Sequence, residues 1–148
     1  MELTPKDIPI EFLQGLPDGI KLVSRKGHPY LVLEKAADKN GNSIIDETVH
    51  IHGEPTVKLH AKVGSAEGSL FVDAYWGSHA KLYSFIPDFS QGRTVEASSP
   101  IDGSSLMIPW KCPIDGCDET HGILLTLPDG QNSIIVCGKL GCPGHHIN

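Results

Sequence analysis

The sequence lacks the long apolar segments and the localisation signals that would place it in or across a membrane. No apolar run approaches the roughly 20 residues that a membrane-spanning helix needs. The opening stretch, MELTPKDIPIEF, has neither the basic segment nor the apolar segment of a secretion signal. We therefore expect a soluble, cytoplasmic protein that makes no contact with membranes.

The sequence also lacks an excess of positive charge and the common catalytic motifs. The 12 Lys and Arg residues are outnumbered by 18 Asp and Glu residues, for a net charge of −6, and this disfavours general binding to phosphate backbones. There is no Walker loop, no G-x-S-x-G and no H-E-x-x-H. The sequence therefore predicts no catalytic residues.

Turn-forming residues are abundant: 16 glycines and 11 prolines occur in 148 residues, without a fixed period. This composition favours short strands joined by turns, and so a mainly β fold. The segment from Thr56 to Val63 alternates strictly between polar and apolar residues, and the segment from Ser69 to Trp76 repeats the pattern. We predict a small antiparallel β domain, either a sandwich or an open barrel, with a further hairpin formed by residues 20–33.

Three units follow from this pattern along the chain. Residues 1–15 form an N-terminal helical clasp, because Thr4 and Pro5 are typical of a helix start and Gly15 of a helix end. Residues 16–103 form the antiparallel β domain. The Ser, Pro and Gly residues of segment 98–105 indicate a connection to a C-terminal unit, residues 104–148.

All four cysteines lie in that C-terminal unit. They form two pairs, Cys112 with Cys117 and Cys137 with Cys142, with four residues inside each pair and 19 residues between the pairs. A predicted hairpin lies between the pairs, so both are expected at the same end of it. Four thiolates brought together in this way are a donor set for one tetrahedral zinc ion with a structural role.

The segment from Lys111 to His146 resembles the zinc ribbon group, in which two cysteine turns and a hairpin enclose a structural zinc. The resemblance covers about a quarter of the chain, and its cysteine turns contain four residues each instead of the usual two. It implies that Cys112, Cys117, Cys137 and Cys142 bind the metal.

Several alternatives remain open at this point. The same cysteines could hold an iron–sulfur cluster, or form disulfides. His121, His145 or His146 could replace one cysteine as a ligand. A second metal could bind His50 and His52, which share one face if that segment is extended. Asp38-Lys-Asn-Gly-Asn42 resembles the start of a calcium loop, although an Asx-rich turn explains it better.

The function predicted from these features is that of a non-enzymatic zinc-binding protein, an accessory subunit or adaptor in a larger assembly. We expect its protein partner to contact the polar face of the sheet, at His60, Phe71 and Tyr75. An iron–sulfur electron-transfer module is one alternative. A nucleic-acid-binding zinc ribbon protein that uses Lys58 and Lys62 with Lys81 is another.

Overall fold

The structure is a computed structural model that describes residues 15–76, 78, 80–87, 94–130, 132–140, 142 and 144–147. The predicted helical clasp, residues 1–15, lies outside the described residues except for Gly15. The described residues form eleven strands: β1 Ile20–Arg25, β2 His28–Leu33, β3 Ile45–Ile51, β4 Glu54–Val63, β5 Ala66–Val72, β6 Lys81–Tyr83, β7 Glu96–Ser98, β8 Met107–Pro109, β9 His121–Thr126, β10 Ser133–Cys137 and β11 His145–Ile147.

The strands form three small antiparallel sheets. The first sheet is the β1–β2 hairpin, the predicted hairpin of residues 20–33. The central sheet has the order β3-β4-β5-β6, and β7 pairs with β4 beside β3. The C-terminal sheet has the order β11-β10-β9-β8. The sheets are open and do not close into a barrel. The prediction of a mainly β, antiparallel fold with a C-terminal hairpin is confirmed.

The long strands β4 and β5 have the predicted register and one buried face. Val57 lies opposite Val72, and Leu59 lies opposite Leu70. All four side chains are buried, because alternate residues of a strand point to the same side of the sheet. Thr56 departs from the predicted alternation: it is completely buried, and its hydroxyl donates to the carbonyl of Val49 at 2.9 Å, where a bulge interrupts the β3–β4 pairing.

The predicted alternation is wrong after Val72, where β5 ends. Asp73, Ala74 and Tyr75 are all buried, and Tyr75 forms a bridge with Val32 of β2. The amide of Leu33 donates to the carbonyl of Ala74 at 2.8 Å, so segment 74–76 extends the first sheet. Tyr75 therefore packs in the core and is not part of the exposed face predicted to bind a partner.

One hydrophobic core continues across the predicted boundary at residue 103. It contains side chains from all three sheets, including Leu31, Leu59 and Leu125. Ala37 and Thr126 exchange backbone hydrogen bonds of 2.9 and 3.0 Å, and the amide of Val95 donates to the carbonyl of Gly138 at 2.6 Å. The C-terminal sheet is thus bonded to the rest of the chain by main-chain contacts as well as by packing.

The loop of residues 38–42 is held by a buried carboxylate. Asp38 is completely buried and accepts hydrogen bonds from the amides of Asn40 and Asn42 and from the hydroxyl of Ser99. Burial would raise the pKa of Asp38, but these hydrogen bonds outweigh it and lower the pKa. The Asp38 oxygens face donors, as in an Asx turn.

No helix among the described residues has the length and apolar character needed to cross a bilayer.

Candidate metal centre

Two strand connections contain the cysteines. Cys112 and Cys117 lie in the connection between β8 and β9, and Cys137 and Cys142 lie at the end of β10 and in the connection to β11. Strands β9 and β10 are joined at the opposite end of the sheet by a turn in which the amide of Gly130 donates to the carbonyl of Leu127 at 3.0 Å. The two cysteine-containing turns therefore lie at the same end of the C-terminal sheet.

Each cysteine pair closes a tight turn. The amide of Cys117 donates to the carbonyl of Ile114 at 3.0 Å, and the amide of Cys142 donates to the carbonyl of Lys139 at 3.1 Å. Gly116 occupies the third position of the first turn with φ of +84°, a conformation that side-chain-bearing residues rarely adopt. Gly141, which stands at the same position of the second turn, lies outside the described residues.

The four sulfur atoms form a compact group, all within 4.8 Å of one another. Three of the separations are 3.7 Å: Cys112 to Cys142, Cys117 to Cys137 and Cys117 to Cys142. Zinc–sulfur bonds of about 2.3 Å place the sulfurs of a regular tetrahedron about 3.8 Å apart. The sulfurs thus have the spacing of ligands around a single ion. All four cysteines are free, so no disulfide joins them.

The cysteines differ in how readily they ionise. Burial raises the pKa of the Cys112 thiol and that of the Cys137 thiol. A hydrogen bond from the backbone N–H of Glu119 lowers the pKa of Cys117, which is also the least buried of the four. The backbone N–H groups of Ile114 and Lys139 likewise donate to the sulfurs of Cys112 and Cys137. Main-chain donors therefore stabilise three of the four thiolates.

Gly144 is a site residue that the sequence analysis missed. Its carbonyl accepts from the amide of Cys137 at 2.8 Å. A Cβ atom at this position would collide with Cys112 Sγ and lie 3.3 Å from Cys137 Cβ. Only a residue without a side chain lets the main chain approach the sulfur group so closely. No sequence signal pointed to this role, since the contact depends on the packing of β11 beside β10.

His121 and His146, two of the three histidines considered as replacement ligands, are not part of the sulfur group. His121 is exposed, and its Nδ1 lies 3.2 Å from the hydroxyl of Thr120 and 3.6 Å from Glu119. His146 is exposed as well. The side chain of His145 lies outside the described residues.

His50 and His52 are not brought together as a second metal site. His50 is exposed on β3, whereas His52 lies in the left-handed turn between β3 and β4 with φ of +53°. Asp73 Oδ2 lies 2.6 Å from His52 Nδ1 and accepts from the hydroxyl of Ser78 at 2.6 Å. Asp73 Oδ1 also accepts from the amide of Tyr75, at 3.0 Å. Asp73 thus connects the β3–β4 turn to the segment after β5.

Comparison of the chain with models of known protein families, with curated proteins and with solved structures returns no match. The chemistry of the site is therefore argued from its own geometry. Four soft donors in a closed, largely buried group can hold a metal ion tightly, and they occupy every position of a tetrahedral shell.

Proposed function

We propose that this chain is a zinc-binding protein with no catalytic activity of its own, in which one structural zinc ion is held by Cys112, Cys117, Cys137 and Cys142. The observation that carries the proposal is the group of four sulfurs within 4.8 Å. A [4Fe–4S] cluster has to fit several iron and sulfide ions between its cysteines, so it needs a wider group of sulfurs. The observed spacing favours a single ion.

The structural role follows from the number of protein ligands. A catalytic zinc ion keeps a position open for water or substrate, whereas four thiolates fill the tetrahedral shell. The ion would hold together the two cysteine-containing turns, which the exposed ion pair between Lys139 and Asp118 also joins at 3.3 Å. Zinc in such a site contributes on the order of 10 kcal/mol to folding in small domains.

Metal analysis of anaerobically purified protein tests this proposal. We expect one zinc and no iron per chain for the wild type, and loss of that zinc in a Cys137→Ser variant. A His121→Ala variant is the matched control and should retain the zinc, because histidine is a common metal ligand but His121 is not part of the sulfur group. Iron without zinc, with a brown colour, would point instead to the electron-transfer alternative.

The second part of the proposal is that the protein acts as an accessory subunit or adaptor in a larger assembly. Two exposed apolar side chains support this part: Leu82 is 49% exposed opposite Phe71, and Ile86 is 85% exposed. An apolar partner surface would cover them. A binding surface for nucleic acid has less support, because Lys58 is half-buried above the Phe71 ring, as in a cation–π contact.

Native mass spectrometry of the protein isolated from its own cells tests the accessory role. We expect a stoichiometric protein partner that is lost when Leu82 and Ile86 are changed to Ser. A Leu22→Ser variant is the matched control, because Leu22 is 51% exposed on the first sheet, and it should retain the partner. A wild-type chain that is always isolated alone would contradict this role.

A further inference from the structure

A lysine lies beside the sulfur group in an unusual environment. Lys81, the first residue of β6, lines a cavity of about 50 Å³ together with Cys142 and Gly144. Most of the other lining side chains are apolar and come from all three sheets, among them Leu33, Val72, Leu125 and Ile134. Lys81 is half-buried. Placing an ammonium group against such walls costs free energy unless an opposite charge lies nearby.

No carboxylate of the described residues forms an ion pair with Lys81. Within the described ranges, no acidic side chain lies within ion-pair distance of Lys81, whereas Lys21 pairs with Glu54 at 2.5 Å and Lys139 pairs with Asp118 at 3.3 Å. Lys81 is thus a half-buried lysine without an acidic partner among these residues.

Asp73 lines the same cavity, but its oxygens accept hydrogen bonds from the amide of Tyr75 and the hydroxyl of Ser78. Among the described residues, the sulfur group is the other source of negative charge at this cavity. Burial lowers the pKa of Lys81, while Cys137 and Cys142 act on it in the opposite direction. Four thiolates around a divalent ion have a net charge of two negative units. The position of Lys81 is therefore explained if this excess charge is present beside it.

We propose that Lys81 is a positioning residue of the metal centre, whose ammonium charge stabilises the thiolates and so strengthens the binding of the metal. The inference depends on the proposed zinc site. It adds that the centre receives charge compensation from the central sheet, across the cavity, and not only from its own turns.

Three variants separate the charge from the packing. Lys81→Met keeps an unbranched apolar side chain but removes the charge, and Lys81→Arg restores the charge. Lys139→Met is the matched control, because it removes the same charge from a lysine that is already paired with Asp118, whose side chain is 91% exposed. Each variant is loaded with zinc for chelator competition and with cobalt(II) for absorption spectra.

We expect Lys81→Met to weaken zinc binding about tenfold, as loss of one partly screened charge does. Its thiolate-to-cobalt absorption should move to lower energy, because less stabilised thiolates give up an electron more easily. Lys81→Arg should restore both properties, and Lys139→Met should change the affinity by about twofold at most. A purely structural role for Lys81 would leave the band position unchanged. Lys81→Gln provides the same measurements if Lys81→Met does not fold.

The outcomes distinguish this inference from the proposed function. A wild-type chain that binds neither zinc nor cobalt would refute the metal site itself. A wild type that binds both, with a Lys81→Met variant of the same affinity and the same spectrum, would overturn the role of Lys81 and leave the metal site intact.

Discussion

Substitution of Gly144 by alanine tests the geometry of the metal centre with a single added methyl group. The new Cβ would collide with Cys112 Sγ. Gly144 does not have a left-handed φ, so its backbone accepts alanine without strain. Any effect of Gly144→Ala therefore reports the contact with the sulfur and not the conformation of the chain.

The expected magnitude follows from how firmly the sulfur is held. An extra methyl group in a well-packed interior costs about 1–3 kcal/mol. Without metal, Cys112 can move to relieve the collision, whereas a metal ion fixes its sulfur at bond distance. The cost then falls on the metal-bound state, and zinc affinity should decrease by about 5-fold to 150-fold.

Chelator competition measures this change directly, with Gly15→Ala as the control. No described residue has an atom within 4 Å of a Cβ at Gly15, and the φ of Gly15 is not left-handed, so that variant should bind zinc as the wild type does. A Gly144→Ala protein with wild-type affinity would show that the main chain of β11 does not press on the sulfur group, and the proposed packing of the centre would be refuted.

Three further predictions concern the rest of the fold. Leu59→Ala should lower the free energy of unfolding by about 2–4 kcal/mol, because Leu59 is 1% exposed in the core, while exposed Lys62→Ala should change it by about 0.5 kcal/mol at most, as chemical denaturation can show. Asp73→Asn should cost about 1–3 kcal/mol in the same assay, since an amide places donors where the carboxylate accepts from three groups; a neutral result would refute the structural role given to Asp73. Hydrogen bonding by Ser104 lowers the pKa of Asp102 from 3.8 to about 2, so the stabilising effect of the ionised carboxylate is present above pH 3.8 and is lost as the pH falls through 2. Asp102→Asn should therefore reduce the decrease of the denaturation midpoint between pH 3.8 and 2. An unchanged dependence of the midpoint on pH would contradict this assignment.

The cysteine group could be predicted because the cysteine spacing and the hairpin that determine it lie in one short stretch of sequence. Two equally spaced pairs on either side of a hairpin have to meet at one end of the sheet, whatever the rest of the chain does. The register of β4 and β5 was equally accessible, since a shift of one residue would bury Lys58 and Lys62 among apolar side chains. In both cases the pattern repeats within one or two neighbouring strands.

The features that were missed depend on contacts between distant segments. Gly144 touches Cys112, more than thirty residues away, because β11 returns beside β10. Tyr75 continues the polar face by parity, yet it turns into the core because its segment leaves β5 and pairs with Val32 of β2. Lys81 could be identified as exceptional only from its surroundings. Periodic patterns in the sequence do not predict which residues of separate sheets come into contact.

The core that continues across residue 103 has a consequence for the lifetime of the protein in the cell. Because Ala37 and Thr126 are bonded and the three sheets share one set of buried side chains, loosening of the C-terminal sheet exposes apolar surface of the other two. A newly synthesised chain that fails to acquire the proposed metal ion would then be accessible to proteases in all three sheets. We therefore expect the abundance of the whole protein, and not only the folding of the cysteine-containing turns, to depend on the supply of metal.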